Sequence, residues 1–536
     1  MHGKLALIAL VLSVSLAPAA EPSVILRASS LDGLIGDLRH LFKQAGREDE
    51  GKEFEKAMLA RTGPKGLEGV DTKKPLGLSA QLTAKVDQSP IFVMLPIADE
   101  VAFVKFVTSV GNEPKKQADG SYRVTIEGIP FINQVMFRFA HGYVYAMLKL
   151  TEGTKLPAEA DLPRPELALG KADASVSLLV NLAAIPTPLR KLAISMIGLQ
   201  MSDWKSDAST GRGEEADPLR DALVEDATAW MKALLEEGER LAFHIHVAPK
   251  TEQLRLELTA SAREGTELAN QLAQLGKLRS PAVSVLAREA ALTGAMRLVF
   301  PPFTNKTLLA LIDKNVNDLL DLLQAHERET AEPLAKGALP TLKAGGLDLA
   351  AQMRGPDKNG RYSVIVAVGV QEGKKLELGL KQTYRKLTAR SQRGFKLEAD
   401  KLGEIAIHQA EQERLDATTR ELIGAGPVYF ALRDDVLILA GGADALKMLK
   451  DALATKPAPA VPLCLEMHLR ALAPALAKVD PEMTSAPRAA KQAFGSGDDG
   501  VRLEARTQSS NALSLKLTLP TATLTFANAL DKARGK

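Results

Sequence analysis

A single cysteine, Cys464, stands in a chain of 536 residues, so no disulfide can form within the chain. Aromatic residues are also scarce, at 4% of the composition. Surfaces that bind sugars or single-stranded nucleic acids stack their ligands on exposed rings, and this scarcity argues against both classes of function. The formal net charge is only +3. Because nucleic-acid-binding proteins carry a strongly basic face, this balance argues against a dedicated nucleic-acid binder as well.

The common catalytic and nucleotide-binding motifs are missing too. The sequence contains no G-x-S-x-G, H-E-x-x-H, Walker A or G-x-G-x-x-G pattern. Ser202 and Lys205 match a bare S-x-x-K, but the S-D-N and K-T-G elements of the penicillin-interacting serine enzymes do not accompany them. Cys464 lies between two leucines of a predicted strand, an environment typical of a buried, inert thiol. We therefore predict no catalytic residue, no cofactor and no enzymatic activity.

Long apolar runs are absent beyond the N-terminus. Residues 5–16 are apolar but too few to span a bilayer, which needs about 20 such residues. They follow Lys4 and precede Ala17-Pro18-Ala19, the order of parts that is typical of a signal peptide. The sequence predicts that residues 1–19 are removed by cleavage between Ala19 and Ala20. The protein is then expected to be exported, to the periplasm or out of the cell, with no transmembrane segment left.

What is present is a recurring order of predicted elements. A strand, a helical stretch, a β-hairpin and a closing helix follow one another four times, in units that begin near residues 23, 174, 291 and 462. The third unit illustrates the helical signal, with Leu308, Leu311, Ile312 and Val316 at spacings of three and four. This pattern predicts an α+β fold of antiparallel sheets packed with amphipathic helices.

The first and third units each carry an extra block of predicted strands, which groups the four units into two halves. The halves are residues 23–289 and 291–536, and their shared order predicts an internal tandem duplication. Residues 201–217 are rich in Ser, Asp, Gly and Glu and are expected to form a solvated loop. Residues 455–462 hold three prolines among alanines and are expected to form a stiff connector.

Two clusters of ionisable residues could serve a site. His244 and His246 lie two apart on a predicted strand, so their rings face the same side and could begin a metal site. A zinc site needs three or four ligands, and the sequence supplies no third one nearby, so polar residues on the solvent face of a strand are the plainer interpretation. No metal is therefore predicted, and these two histidines are kept as the candidates.

The second cluster is basic and consists of Arg385, Lys386, Arg390, Arg393 and Lys396. It lies at the predicted end of a helix, where cations complement the helix dipole. A contact with an acidic surface polymer or with lipid head groups is the alternative.

Four segments of the N-terminal stretch carry a resemblance. They are residues 30–34 (SLDGL), residues 63–71 (GPKGLEGVD), residues 96–100 (PIADE) with Phe103, and the predicted hairpin 137–146. On these residues the chain resembles secreted proteins of planctomycete-type bacteria, a family without an assigned activity. The resemblance implies export and a similar fold, and it implies no site residue.

These observations favour an exported, non-enzymatic scaffold or binding protein, whose partner in the envelope or outside the cell is unknown. A carrier of lipid or another apolar ligand is the alternative, because amphipathic strands and helices could curl around a groove. That alternative requires an apolar surface larger than the few hundred Å² that monomers normally expose. A cell-envelope hydrolase built on Ser202 and Lys205 is the second alternative.

Overall fold

The computed structural model describes residues 21–62, 67–85, 88–110, 113–125, 134–148, 156–170, 174–210, 218–286, 290–387, 392, 394–411 and 416–534. Over these residues the fold is α+β, as predicted, with one antiparallel sheet of 20 strands and a separate pair of short strands. Helices connect the strands throughout.

The strands of residues 23–289 begin with a short strand and end in a long hairpin. They are β1 Val24–Ala28, β2 Leu76–Ala80, β3 Ile91–Pro96, β4 Lys115–Lys116, β5 Tyr122–Thr125, β6 Gln134–Ala140, β7 Tyr143–Leu148, β8 Val176–Asn181, β9 Gly238–Ala248, β10 Gln253–Ala262 and β11 Arg279–Ser280. The strands of residues 291–536 are β12 Leu292–Val299, β13 Gly346–Arg354, β14 Ser363–Gly369, β15 Phe395–Leu402, β16 Ile405–Ala410, β17 Val428–Leu432, β18 Val436–Gly441, β19 Ala458–Pro459, β20 Leu463–His468, β21 Gly500–Ser509 and β22 Ala512–Pro520.

The helices of the described residues range from one turn to more than six. They are α1 Leu31–Gln44, α2 Glu48–Thr62, α3 Glu100–Val110, α4 Pro165–Ala168, α5 Thr187–Thr210, α6 Pro218–Glu237, α7 Glu267–Lys277, α8 Pro302–Leu322, α9 Ala325–Leu342, α10 Gly373–Lys386, α11 Ala417–Ile423, α12 Ala445–Leu453, α13 Leu469–Val479, α14 Ala486–Phe494 and α15 Ala522–Ala533.

The strands of the two halves lie in the same spatial order. From one edge to the centre the sheet runs β4-β5-β6-β7-β3-β2-β1-β8-β9-β10. From the other edge it runs β15-β16-β17-β18-β14-β13-β12-β20-β21-β22. The two series meet where β10 pairs antiparallel with β22, from Gln253 opposite Pro520 to Ser261 opposite Ala512. Whether this common order reflects a duplication stays a prediction.

Local sequence explains the hairpins. In the turn between β6 and β7, His141 and Gly142 both have positive φ, at 52° and 76°. That conformation suits a tight hairpin turn, because its twist matches the twist of the flanking strands. The hairpin predicted at residues 137–146 is therefore present. α7 begins directly after Thr266, whose Oγ1 accepts the N–H of Ala269 at 3.3 Å as an N-cap residue does.

The loop predicted at residues 201–217 is wrong over its first part, because α5 continues to Thr210. The polar residues that favoured a loop include no glycine or proline between Leu199 and Thr210, so nothing in that stretch interrupts a helix. Residues 211–217 lie outside the described residues. The fourth unit has two separate helices, α13 and α14, and Pro481 lies between them.

The outer strands of the sheet are covered on both faces. In the second half Ile365 and Ile438 are fully buried beneath α12, where Leu449 joins the same core. In the first half Tyr145 is fully buried in a core that includes the segment from Leu156 to Leu169. On the opposite face of those strands, α3 brings Phe103 edge-on to Phe137, with ring centroids 5.9 Å apart. The centre of the sheet is covered differently.

Candidate functional site

The centre of the sheet is formed by six adjacent strands, β2, β1, β8, β9, β10 and β22. Their pairing registers place one residue from each strand in a line across the sheet. We call this line the apolar row, and its members are Leu78, Leu26, Leu178, Phe243, Leu258 and Leu515.

Four leucines of the apolar row remain accessible to solvent. Leu26 is 43% exposed, Leu178 36%, Leu258 39% and Leu515 39%. Leu298 of β12, on the same face, is 40% exposed. Residues at the middle of a strand that faces a layer of helices are normally buried. Because these leucines are accessible, the helices on this face do not cover the apolar row.

Helices do lie on this face, but they cover its ends. Gly276 of α7 stands against Thr507 of β21, and Leu513 of β22 packs against the cluster that α7 forms with Leu272. Leu515 follows Leu513 by two residues on β22, so the two side chains point to the same face. Thr507 of β21 pairs with Leu513 and points to that face as well. The helices therefore flank the apolar row instead of filling the space above it.

The other face of the same strands is polar. One residue from each of β1, β8, β9, β10 and β22 forms a line on this face, in the order Arg27, Ser177, His244, Glu257 and Lys516. Nδ1 of His244 lies 3.0 Å from Oγ of Ser177, and the amide of Gln508 donates to Glu257 at 3.0 Å. A polar face of this kind is common on one side of an antiparallel sheet. The unusual feature is the accessible apolar side.

The metal candidates fall on this polar face. The rings of His244 and His246 have centroids 6.1 Å apart, and His244 contacts Ser177. Among the residues that the structure describes, no group of three or more His, Cys, Asp or Glu side chains could hold a metal ion. Both side chains are half-buried on β9.

Ser202 and Lys205 are placed within α5, which begins at Thr187. The serine enzymes that use S-x-x-K need the serine at the start of a helix, and Ser202 is well inside one. Cys464 lies on β20, partly buried, and burial raises the pKa of its thiol. A raised pKa lowers the thiolate fraction, so this thiol is a poor nucleophile.

The basic patch is present in part at the end of α10. Arg385 and Lys386 form the last turn of that helix, as the dipole interpretation expects. Lys386 also pairs with Glu329, with Nζ 3.1 Å from Oε1. Arg390 and Arg393 lie outside the described residues.

A cleft of about 390 Å³ opens between the β13–β14 turn and the start of α12. Its ionisable lining residues are Arg354, Asp357, Arg361, Asp444 and Lys447. Lys447 is already paired with Asp451 at 2.7 Å, and Arg354 donates to Gln352 at 2.8 Å. Three cations and two carboxylates therefore line the cleft.

One buried polar cluster was missed by the sequence interpretation. His408 of β16 is completely buried, and its Nδ1 accepts the backbone N–H of Glu398 at 3.1 Å. Its Nε2 lies 3.5 Å from Oε1 of Glu377. Lys381 bridges the two carboxylates, 2.8 Å from Glu377 and 2.7 Å from Glu398. The available signal was the four-residue spacing of Glu377 and Lys381 on one helix face, but nothing in the sequence ties that face to His408.

The buried imidazole gives a prediction for the dependence of stability on pH. Burial, opposed by the nearby carboxylates, lowers the pKa of His408. Below about pH 6.5, the pKa of an unperturbed histidine, the unfolded chain binds a proton that the folded chain resists. We therefore expect the unfolding free energy to fall as the pH drops through this range, which urea titrations at pH 7.5, 6.5 and 5.5 would measure.

The control is the same titration on variants. His408→Gln is expected to flatten this pH dependence, whereas His326→Gln, at an exposed position of α9, leaves it as in the wild type. Equal slopes for His408→Gln and the wild type would contradict the assignment.

Within the described residues, no helix combines the length and the apolar character needed to cross a membrane. Comparisons with protein-family models, with curated proteins and with solved structures find no match to the chain. The resemblance to secreted planctomycete-type proteins and the expected export therefore stay predictions.

Proposed function

We propose that the protein is an exported, non-enzymatic binding protein whose central sheet holds an aliphatic ligand of the acyl-chain type. The observation that carries this proposal is the accessible apolar row, with four leucines 36–43% exposed at the middle of the sheet. A scaffold with no ligand of its own would gain nothing from leaving such a face open, because exposed apolar surface is unfavourable in water.

The chemistry of the face favours an aliphatic ligand. The residues that point to it from β1, β8, β10 and β22 are all Val, Leu or Ala. β22 alone contributes Leu513, Leu515, Leu517 and Leu519. A ligand with many polar groups would lose its hydrogen bonds with water against this face and find no partner there.

The dimensions also suit an acyl chain. Strands lie about 4.8 Å apart, so the six strands of the apolar row span roughly 24 Å. One leaflet of a bilayer core is about 15 Å thick, which is the length over which a lipid chain extends. A chain laid across the row would therefore contact several of its leucines at once.

Binding of a fluorescent fatty acid to delipidated protein tests the proposal. Leu258→Asp is expected to lower the affinity for the probe at least tenfold, because it places a carboxylate against the aliphatic chain. The fold should survive, since this side chain is already 39% exposed.

Glu257→Gln is the matched control, because it changes the neighbouring residue on the opposite face of β10 and should bind the probe like the wild type. Failure of the wild type to bind, or unchanged binding by Leu258→Asp, would refute the proposal. Recovery of a protein partner without lipid from the envelope fraction would favour a scaffold instead.

We also propose that the two halves are copies of one ancestral unit, joined so that their last strands β10 and β22 pair. The common strand order supports this, and so does the recurrence of two helices after β1, β8, β12 and β20. The halves should then superpose strand for strand with matching connectivity, and a failure to overlay would contradict the duplication.

A further inference from the structure

The edge strand β15 carries a bulge opposite one residue of β16. Lys396 and Asp400 pair with the two neighbours of His408 in β16, so the three residues between them stand opposite His408 alone. In the middle of the bulge Glu398 has a φ of 53°, in the left-handed region that residues other than glycine rarely adopt. Such a conformation persists only where neighbouring groups hold it.

The imidazole of His408 holds the bulge by a hydrogen bond that takes the place of strand pairing. Its Nδ1 accepts the backbone N–H of Glu398 at 3.1 Å, and the side chain is completely buried. A ring nitrogen that accepts a hydrogen bond carries no proton, so the neutral ring carries its proton at Nε2. Nε2 faces Oε1 of Glu377 at 3.5 Å, which is longer than a normal N–H···O hydrogen bond.

Protonation of the ring and the hydrogen bond from Glu398 exclude each other. A second proton can enter the ring only at Nδ1, whose lone pair already accepts the N–H of Glu398. In the imidazolium both ring nitrogens are donors, so two N–H groups would point at each other across the bulge. Separation of β15 from β16 removes this conflict, because a histidine in water takes up a proton with a pKa near 6.5.

The groups that face His408 come from three elements. α10 contributes Glu377 and Lys381, β15 contributes Glu398, and β17 contributes the uncharged ring of Phe430, whose centroid lies 5.0 Å from that of His408. The Lys381 ammonium lies 2.7 Å from Glu398 and holds the pKa of that carboxyl below its usual range. Imidazole is the one type of group among them whose ordinary pKa lies between pH 5.5 and 7.5.

We propose that the hydrogen bond from Glu398 to His408 is an acid-sensitive switch, and that protonation of His408 raises the population of a state in which β15 has separated from β16. Among the described residues β15 pairs with β16 alone, so its separation breaks one strand pairing. β16 stays paired with β17 and becomes the edge of the sheet, with unpaired N–H and C=O groups. The switch does not depend on the apolar row.

Hydrogen exchange measured by mass spectrometry at pH 7.5 and 5.5 tests the switch, after correction for the pH dependence of exchange in unstructured peptides. An opened state whose histidine has a pKa near 6.5 becomes up to about tenfold more populated across this range. Amides of residues 395–402 should therefore exchange up to about tenfold faster at pH 5.5. No increase there overturns the proposal.

Urea distinguishes the opening of one strand from unfolding of the whole chain. Opening of β15 exposes little surface, so the exchange of its amides at pH 5.5 should hardly change with urea added below the unfolding transition. Amides of β17 and β18 that exchange through unfolding of the chain should exchange faster as urea is added. If β15 responds to urea as they do, protonation destabilises the chain as a whole and β15 contains no switch.

Two variants separate the hydrogen bond from the filling of space by the ring. In His408→Asn the carboxamide oxygen is as many bonds from Cα as Nδ1 is, and it accepts a hydrogen bond without titrating. β15 of this variant should exchange at equal corrected rates at both pH values. In His408→Ala the N–H of Glu398 has no acceptor, so β15 should exchange faster than in His408→Asn at both. Equal exchange in the two variants, or a pH dependence that persists in His408→Asn, overturns the switch.

Discussion

Replacement of Asp226 by alanine is expected to lower the unfolding free energy by about 3 kcal/mol. Asp226 lies on α6 in the first half, and its carboxylate accepts two N–H groups from the first turn of α8 in the second half. The distances are 3.2 Å to the nitrogen of Phe303 and 2.6 Å to that of Thr304. Asp226 is only 7% exposed and Thr304 only 2%, so water cannot replace the lost acceptor.

The helix start that Asp226 caps has no other side-chain cap, because the N-cap residue is Pro301, whose side chain cannot accept a hydrogen bond. A negative charge at that position also complements the helix dipole, which adds to the hydrogen bonds. The two halves contact each other through α6 and α8 as well as through the pairing of β10 with β22. Loss of the carboxylate thus removes a stabilising interaction from the contact between α6 and α8.

Urea denaturation followed by circular dichroism measures this effect, with two further variants as references. Asp226→Asn keeps an acceptor oxygen without the charge and should lie between the wild type and Asp226→Ala. Asp221→Ala removes a more exposed carboxylate of the same helix, whose pairing with Arg220 is long at 3.8 Å, and should change stability by no more than about 0.5 kcal/mol. If Asp221→Ala and Asp226→Ala have equal unfolding free energies, the hydrogen bonds of Asp226 do not stabilise the contact between the two halves.

The units of the fold were predictable from local sequence, but their arrangement was not. The predicted hairpin 137–146 corresponds to β6 and β7, and the helical spacing of Leu308, Leu311 and Ile312 corresponds to α8. The pairing of Leu258 with Leu515 joins residues more than two hundred positions apart. No pattern within a single strand specifies such a partner, because many antiparallel registers bury the same alternating side chains.

For the candidate site, the sequence predicts which side chains form the apolar face but not whether that face is covered. Alternation predicts which face of β10 is apolar, so Leu254, Leu256 and Leu258 could be assigned to one side. Whether that side is covered depends on where the helices lie. The predicted and observed helix lengths differ most at α5. The polar composition of residues 201–217 predicts a loop, whereas the helix continues through Ser202 to Thr210.

The second large effect is expected at Ile438, and its comparison with Leu258 tests the central claim about the sheet. Ile438 is fully buried beneath α12, so Ile438→Ala leaves a cavity and should lower the unfolding free energy by about 3–4 kcal/mol. Leu258 is 39% exposed, and Leu258→Ala should lower it by only about 1 kcal/mol in delipidated protein.

Added fatty acid separates the two variants further. A ligand that binds only the folded chain stabilises it by an amount that grows with ligand concentration over Kd. Ile438→Ala should keep this stabilisation, because Ile438 lies far out in the sheet and not in the apolar row, whereas Leu258→Ala should lose part of it. If Leu258→Ala is instead as destabilising as Ile438→Ala without ligand, Leu258 is packed like a core residue. The apolar row would then be closed, and it could not hold an acyl chain.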